Sequence, residues 1–225
     1  MAVSVDTVYQ RVLALANKEQ RGYITPQEFN LFANQAQLET IEQYFYDINQ
    51  FTRLNDNETD YSDMISLLNE KLGVFKKHSS NITKTSGYYS LPNDLLTLGK
   101  VFTNGMEVDE VTYSDIALMQ RTSLLNTTAE NPVYYIRDNK IYAVGTGSIV
   151  VSYVRKPDPV SWGYVVVSEK AMYDPSLTNN FELHPLEETD LVYRILTLSG
   201  ITLNKADLAS GAMGLLAAKT QQEKQ

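Results

Sequence analysis

Apolar residues recur at helical spacing over the first third of the chain. Val5, Val8, Val12, Leu15 and Ala16 form one stripe from about Ser4 to Glu19, interrupted at Gly22, and predict a first helix. The next start is written out in Thr25-Pro26-Gln27-Glu28. Thr25 and Glu28 make a capping box, and Pro26 suits the first helical position, where a missing N–H costs nothing. Ile24 and Phe29 flank the box as a hydrophobic staple. No Gly or Pro occurs from there to Leu72, and Leu31, Leu38, Ile41, Phe45 and Ile48 hold one stripe, so a long helix is expected from about Pro26 to Leu54. Phe29, Phe32, Tyr44, Tyr46 and Phe51 broaden its apolar surface beyond a single seam, which implies more than one neighbour. The polar run 55–60 reads as a connector. Ser62 is then placed to cap a third helix carrying Met64, Leu67, Leu68 and Leu72 before Gly73.

From about Val74 the period changes. Tyr88-Tyr89 enter a short strand that ends at Leu91-Pro92. Val101-Phe102 and Met106-Glu107-Val108 flank Asn104-Gly105, a pair that supplies the positive φ of a tight hairpin turn. Ser114 is expected to cap a short helix through Met119. The runs 133–137 and 140–144 are joined by Asp138-Asn139 as a second two-residue hairpin, and Gly145-Thr146-Gly147 leads to a third strand of the same meander, Ile149 to Val154. Pro157 and Pro159 cannot donate to a ladder, so the β signal closes near Arg155. The stretch 161–180 holds Trp162, a short Val run and the loop Tyr173-Asp174-Pro175. It reads either as an extended arm or as surface loop.

Helical spacing returns after Phe181. Pro185 fits a first helical position, and Glu187, Glu188 and Asp190 set negative charge at the positive end of the dipole. Leu191, Ile195 and Leu198 recur at helical spacing, and Gly200 is expected to end the helix. Asn204 is placed to cap a last helix with Leu208, Met213, Leu215 and Leu216, weakened by Gly211 and Gly214 at roughly 1 kcal/mol each. The fold class expected is α+β. Helices at 1–73 and 181–225 form one body, and an antiparallel β-rich lobe with an extended arm is inserted at 74–180.

Composition narrows the chemistry. The chain has 225 residues, 43% of them hydrophobic, and no cysteine, which suits a globular fold in a reducing compartment and excludes disulfides and thiolate chemistry. No secretory signal is visible, and no apolar run nears the ~20 residues of a membrane helix. Net charge is −8, from 27 acidic and 19 basic residues, which argues against affinity gained by neutralising phosphates.

Catalytic signatures are missing. The two histidines, His78 and His184, stand far apart and outside metal-ligand spacing, and the sequence has no P-loop, nucleophile elbow or dinucleotide fingerprint. Gly145-Thr146-Gly147-Ser148 lacks the Lys of a phosphate loop and reads as a turn. The run from Asn55 lacks the Gly and the terminal Glu of a calcium loop. Glu187-Glu188 are adjacent and so point in different directions, which suits dipole partners better than an acid–base pair. Neither enzyme, metal nor cofactor is therefore expected. The fifteen tyrosines are spread through helices and strands rather than gathered as a base-stacking platform, and they suit large protein interfaces.

Leu91-Pro92-Asn93-Asp94, Asn131-Pro132-Val133-Tyr134-Tyr135 and the run Phe181 to Ile201, in that order, carry a resemblance. The chain resembles the head-to-tail connector (adaptor) proteins of tailed bacteriophages, also called tail tubular protein A-like or head completion ring proteins. The resemblance implies a virion structural protein assembled in the host bacterial cytoplasm as a ring homo-oligomer, twelve-fold in that family. Such a ring binds the portal protein on one side and a tail or neck ring protein on the other, and lines a passage through which genomic DNA moves without specific binding. It further implies that part of the long helix, through Leu31, Leu38, Ile41, Tyr44, Phe45, Ile48 and Phe51, lines an interface between copies; the plainer alternative is a core helix of one subunit. A C-terminal tail including Leu208, Met213, Leu215, Leu216 and Lys219 would dock on the portal and be flexible in the free subunit. Thr25, Pro26, Glu28, Pro185, Glu188 and Gly200 serve as structural caps. The competing readings are another neck or tail ring of the virion and a non-viral soluble binding module.

Overall fold

The computed structural model describes residues 2–18, 24–53, 59–121, 127–128, 131–144, 146–202 and 206–223. For 17–18, 51–53, 59–64, 201–202, 206–209, 219–220 and 222–223 it describes the backbone alone. The protein is α+β and divides into two compact units, Met1–Val74 with Pro157–Gln225, and Phe75–Lys156. Residues 157–180, grouped by sequence with the β-rich lobe, belong instead to the first unit.

The first unit contains α1 (Val5–Lys18), α2 (Pro26–Arg53), α3 (Thr59–Gly73), α5 (Glu188–Thr202) and α6 (Ala206–Glu223). α5 is the hub, packing against α1, α2 and α6, while α3 lies on α2. Three helices bury part of their apolar stripes: Val5, Val8, Val12 and Ala16 of α1, Phe29, Ala33, Ala36 and Ile41 of α2, and Leu191, Ile195 and Leu196 of α5 are buried, whereas Leu15 of the α1 stripe is exposed. The expected capping box is present. Thr25 N–H donates to Glu28 Oε2 at 3.0 Å, and Glu28 N–H donates to Thr25 Oγ1 at 3.3 Å. The staple residues Ile24 and Phe29 are both buried.

Three helix boundaries in the first unit differ from the sequence reading. α3 starts at Thr59, so Ser62 lies inside it rather than at its cap. Pro185 opens a single 3-10 turn, Pro185–Glu187, from which α5 continues. α5 runs past Gly200 to Thr202. Its packing on three helices outweighs a local glycine preference of roughly 1 kcal/mol. The expected cap Asn204 and most of the 55–60 connector lie outside the described residues.

The stretch 161–180 is neither featureless arm nor plain loop. β9 (Tyr164–Val167) and β10 (Lys170–Tyr173) pair antiparallel around Ser168 and Glu169, both at positive φ. Gly163 lies at the base of this hairpin, where an added Cβ would come within 2.5 Å of the Leu177 carbonyl carbon, so only glycine fits there.

The second unit holds β1 (Lys76–His78), β2 (Ile82–Thr83), β3 (Tyr89–Ser90), β4 (Leu95–Thr103), β5 (Met106–Glu110), α4 (Tyr113–Met119), β6 (Val133–Arg137), β7 (Lys140–Val144) and β8 (Ser148–Arg155). The sheet order is β1-β8-β4-β5-β6-β7-β3, with β2 also on β8. Both predicted hairpin turns are present, with positive φ at Asn104, Gly105, Asp138 and Asn139. Two expectations are corrected. β8 does not extend the β6–β7 meander but pairs with β4, β1 and β2. The lobe is not purely antiparallel either, because β5 and β6 run parallel with α4 between them in sequence. The cap of α4 is Thr112, whose Oγ1 accepts from Asp115 N–H at 3.3 Å, rather than Ser114.

β2 and β3 curl this sheet around its core. β2 joins β8, β3 joins β7, and Thr85 and Tyr88 exchange backbone hydrogen bonds of 2.8 and 3.2 Å between them. Tyr89, Val101, Val108, Tyr134, Ile141 and Ile149 are among the residues enclosed.

Candidate functional site

The long helix α2 divides its predicted interface residues between inside and outside. Ile41 and Tyr44 are buried within the first unit, so they have no free surface for another copy, and the interface role expected of them is corrected to a core role. Phe45 and Ile48 are half-buried, Leu31 and Leu38 are exposed, and the side chain of Phe51 lies outside the described residues. Tyr46, not among the expected interface residues, is also exposed. The outer side of α2 therefore presents Leu31 and Leu38 interspersed with exposed Gln35 and Glu42.

Of the C-terminal residues, Met213 and Leu215 are exposed and Leu216 is half-buried. The side chains of Leu208 and Lys219 lie outside the described residues. Ala212, on the inner side of α6, is buried.

At the start of α5 the two adjacent carboxylates diverge. Glu187 is buried, and Lys71 Nζ of α3 donates to its Oε1 at 2.6 Å, with the Lys71 ammonium also 5.4 Å from the centre of the Tyr44 ring. Glu188 lies 2.8 Å from Arg11 Nη1 of α1, an ion pair by distance. Sequence reasoning gave Glu187 a dipole role only. Its partner stands 116 residues away, and no local pattern signals that contact. His184 caps the turn, its Nδ1 accepting from Leu186 N–H at 3.3 Å. His78 is an exposed residue of β1. The two carboxylates are thus tied to two different helices and do not face a common substrate position.

Trp162 fixes the base of the β9–β10 hairpin. Its indole Nε1 donates to Asp6 Oδ1 at 2.9 Å, its backbone N–H donates to Asn30 Oδ1 at 2.8 Å, and its ring lies 4.5 Å from that of Tyr9. Tyr164 and Tyr173, which face each other across the hairpin, lie 5.8 and 5.7 Å from the same indole. A groove of about 280 Å³ opens between α1 and α5, lined by Arg11, Ala14, Leu15, Thr189, Val192 and Tyr193.

In the second unit four tyrosines form one row, which corrects the expectation that the tyrosines are merely scattered. Ring centres are separated by 6.2 Å from Tyr88 to Tyr142, 5.0 Å from Tyr142 to Tyr135 and 5.4 Å from Tyr135 to Tyr113. Tyr135 and Tyr142 are directly opposite on β6 and β7, and their planes differ by 11°. Lys140 Nζ sits 4.0 Å over the Tyr88 ring. The inner rings already have neighbours on both sides, so the row offers edges and hydroxyls rather than open faces for base stacking. Burial, and then the neighbouring Tyr113 and Tyr142, push the Tyr135 hydroxyl up.

Two further tyrosines hold carboxylates. Tyr153 donates to Asp94 at 3.0 Å, and Lys77 stands 3.5 Å from the same carboxylate. Asp94 loses some solvation, but the bonds from Tyr153, its own backbone and Lys77 outweigh that and hold it below its ordinary value. Tyr134 donates to Glu110 at 3.3 Å. Burial, followed by the charge of Glu110, pushes its hydroxyl up to about 12. These hydroxyls are locked as donors. Among the described residues no group of three His, Asp or Glu side chains is placed to hold a metal, and no helix is long and apolar enough to cross a membrane. No known protein family and no curated protein matches this chain.

Proposed function

We propose that this chain is a structural ring subunit of a tailed-phage virion, a head-to-tail connector that joins portal to tail and leaves a passage for DNA. The observation that carries this reading is the contrast between its polar and apolar groups. The ionic pairs of the first unit are spent on joining helices, as in Lys71–Glu187 and Arg11–Glu188. Large apolar side chains meanwhile stand in water at Leu31, Leu38, Val166, Met172, Met213 and Leu215. Val165, Val166, Val167 and Met172 are exposed together on one hairpin, and contiguous apolar surface of that kind marks contacts with other proteins. The chain is a part rather than an enzyme, and it needs no cofactor. Its net charge of −8 suits a wall past which phosphates slide without being held.

Mass photometry and negative-stain microscopy of the purified chain, alone and with the portal protein of the same phage, test this reading. Rings on the portal are expected. A monomer that ignores the portal, or tight duplex binding in a low-salt gel shift, counts against it. The tyrosine row of the second unit favours one other reading, a soluble binding module whose partner meets those hydroxyls. Such a module would stay monomeric at every concentration.

A further inference from the structure

Two tight turns of the second unit each carry an exposed asparagine at positive φ, Asn104 between β4 and β5 and Asn139 between β6 and β7. They differ in their place within the turn. Asn104 is the first turn residue. Thr103 and Met106 close the ladder around it, so Gly105, the next residue in the chain, also lies in the turn and is exposed. Asn139 is the second turn residue, so its successor is Lys140, which pairs with Arg137 in the ladder and holds its ammonium 4.0 Å over the Tyr88 ring.

That difference decides a reaction of the asparagine amide. The amide is lost without an enzyme when the backbone nitrogen of the following residue attacks its Cγ, and the attack needs a nitrogen that is outside a ladder, open to water and not shielded by a side chain. Gly105 meets all three requirements. It has no Cβ, its φ is +80°, and nothing stands within 4 Å of the position a Cβ would take. Lys140 has a side chain and a ladder partner. Asn104-Gly105 is also the one Asn-Gly pair in the sequence.

We propose that Asn104 is a self-modification site, at which water converts the side-chain amide to a carboxylate with release of ammonia. The Gly105 nitrogen gives up its proton and bonds to Asn104 Cγ. The Cγ–Nδ2 bond breaks, and Nδ2 leaves as ammonia with that proton. Water then opens the cyclic imide. Opening at the Cγ carbonyl gives aspartate, and opening at the main-chain carbonyl gives isoaspartate, in which the backbone runs through Cβ and Cγ. Nothing is oxidised or reduced.

The two products have different consequences for the sheet. Aspartate tolerates positive φ as asparagine does. Isoaspartate puts one extra carbon into the main chain of a two-residue turn, and turn length sets the register of the hairpin. Val101 and Val108, opposite each other on β4 and β5, are both buried, and β4 lies inside the sheet between β8 and β5. The inference stands on this geometry and does not depend on the ring-subunit reading.

The full chain is kept at physiological temperature and mildly alkaline pH, and peptide mapping by mass spectrometry follows residues 104 and 139. Asn104 is expected to shift from amide to acid mass, split into aspartate and isoaspartate forms, and accept methyl groups from a protein isoaspartyl methyltransferase, while Asn139 keeps its amide. Asn104→Gly, which suits the positive φ of the turn, is expected to lose the methyl-acceptor signal. Asn104→Asp is expected to unfold close to the parent temperature, and the aged isoaspartate-rich fraction at a lower one. An amide retained at 104, equal conversion at 139, or methyl acceptance undiminished in Asn104→Gly overturns the site. An aged fraction as stable as the parent overturns its effect on the hairpin.

Discussion

Lys71 Nζ lies 2.6 Å from Glu187 Oε1 in the interior of the first unit, with the two side chains 9% and 5% exposed. The pair ties the end of α3 to the turn that opens α5. Desolvating two charges is costly, and their attraction offsets that cost only while both are present. Glu187→Gln should therefore destabilise the first unit by about 3–5 kcal/mol, because it leaves a buried ammonium without its counter-charge. Lys71→Met with Glu187→Leu should recover most of that loss. Urea denaturation of the three chains checks this, and equal losses in the single and double variants would show that the pair is not coupled.

The capping box at Thr25 makes a smaller, local prediction. Thr25→Ala removes the acceptor for Glu28 N–H and the partner of the Glu28 carboxylate, and should cost about 1 kcal/mol, with Thr25→Ser nearly neutral. The thermal midpoint followed by circular dichroism reads the difference. A Thr25→Ala chain as stable as the parent would remove the box from the account of where α2 begins.

Asp94 gives the second unit an acid dependence. Its carboxyl is held below the ordinary 3.8 by bonds from Tyr153, its own backbone and Lys77, against the effect of desolvation. The folded chain therefore keeps this charge to lower pH than the unfolded chain does, so the stabilisation is present above the ordinary carboxylate range and fades as pH falls through the depressed value. Asp94→Asn should lower the urea midpoint at neutral pH, and the gap to the parent should narrow below about pH 4. A gap independent of pH would mean that the hydroxyl and ammonium bonds to Asp94 carry no charge-dependent stabilisation.

Tyr134 gives a dependence at the alkaline end. Its hydroxyl is raised from 10.0 to about 12, chiefly by burial and then by Glu110. A raised value favours the protonated form in the fold, so this contribution is complete below pH 10 and is lost as pH climbs toward 12. Tyr135 and Tyr153 are also shifted upward, so ultraviolet titration of tyrosinate should show several late-ionising groups, and Tyr134→Phe should remove one of them. A titration unchanged in that variant would show that Tyr134 is not among them.

What could be read ahead of the structure was local. The Thr25 box, the Asn104-Gly105 and Asp138-Asn139 turns and the stripe of α1, apart from its exposed Leu15, each depend on neighbours within about seven residues, and each is found where the sequence put it. The β9–β10 hairpin escaped because its turn is Ser168-Glu169, without the Gly or Asn that usually announces positive φ at both positions. The apolar stripe of α2 was legible as a stripe, but it could not tell Ile41, which is buried, from Leu31, which is exposed, because both satisfy helical spacing.

Periodicity, caps and turn residues thus determined which segments become helix or strand, since those preferences are settled by the backbone and side chains of a single turn. The tertiary structure decided what pairs with what. It carried β8 away from β7 to β4, gathered Tyr88, Tyr113, Tyr135 and Tyr142 from separate elements into one row, and set Lys71 against a carboxylate 116 residues further on. Those partnerships are chosen by burial and by satisfaction of polar groups over the whole chain, which no short window of sequence encodes.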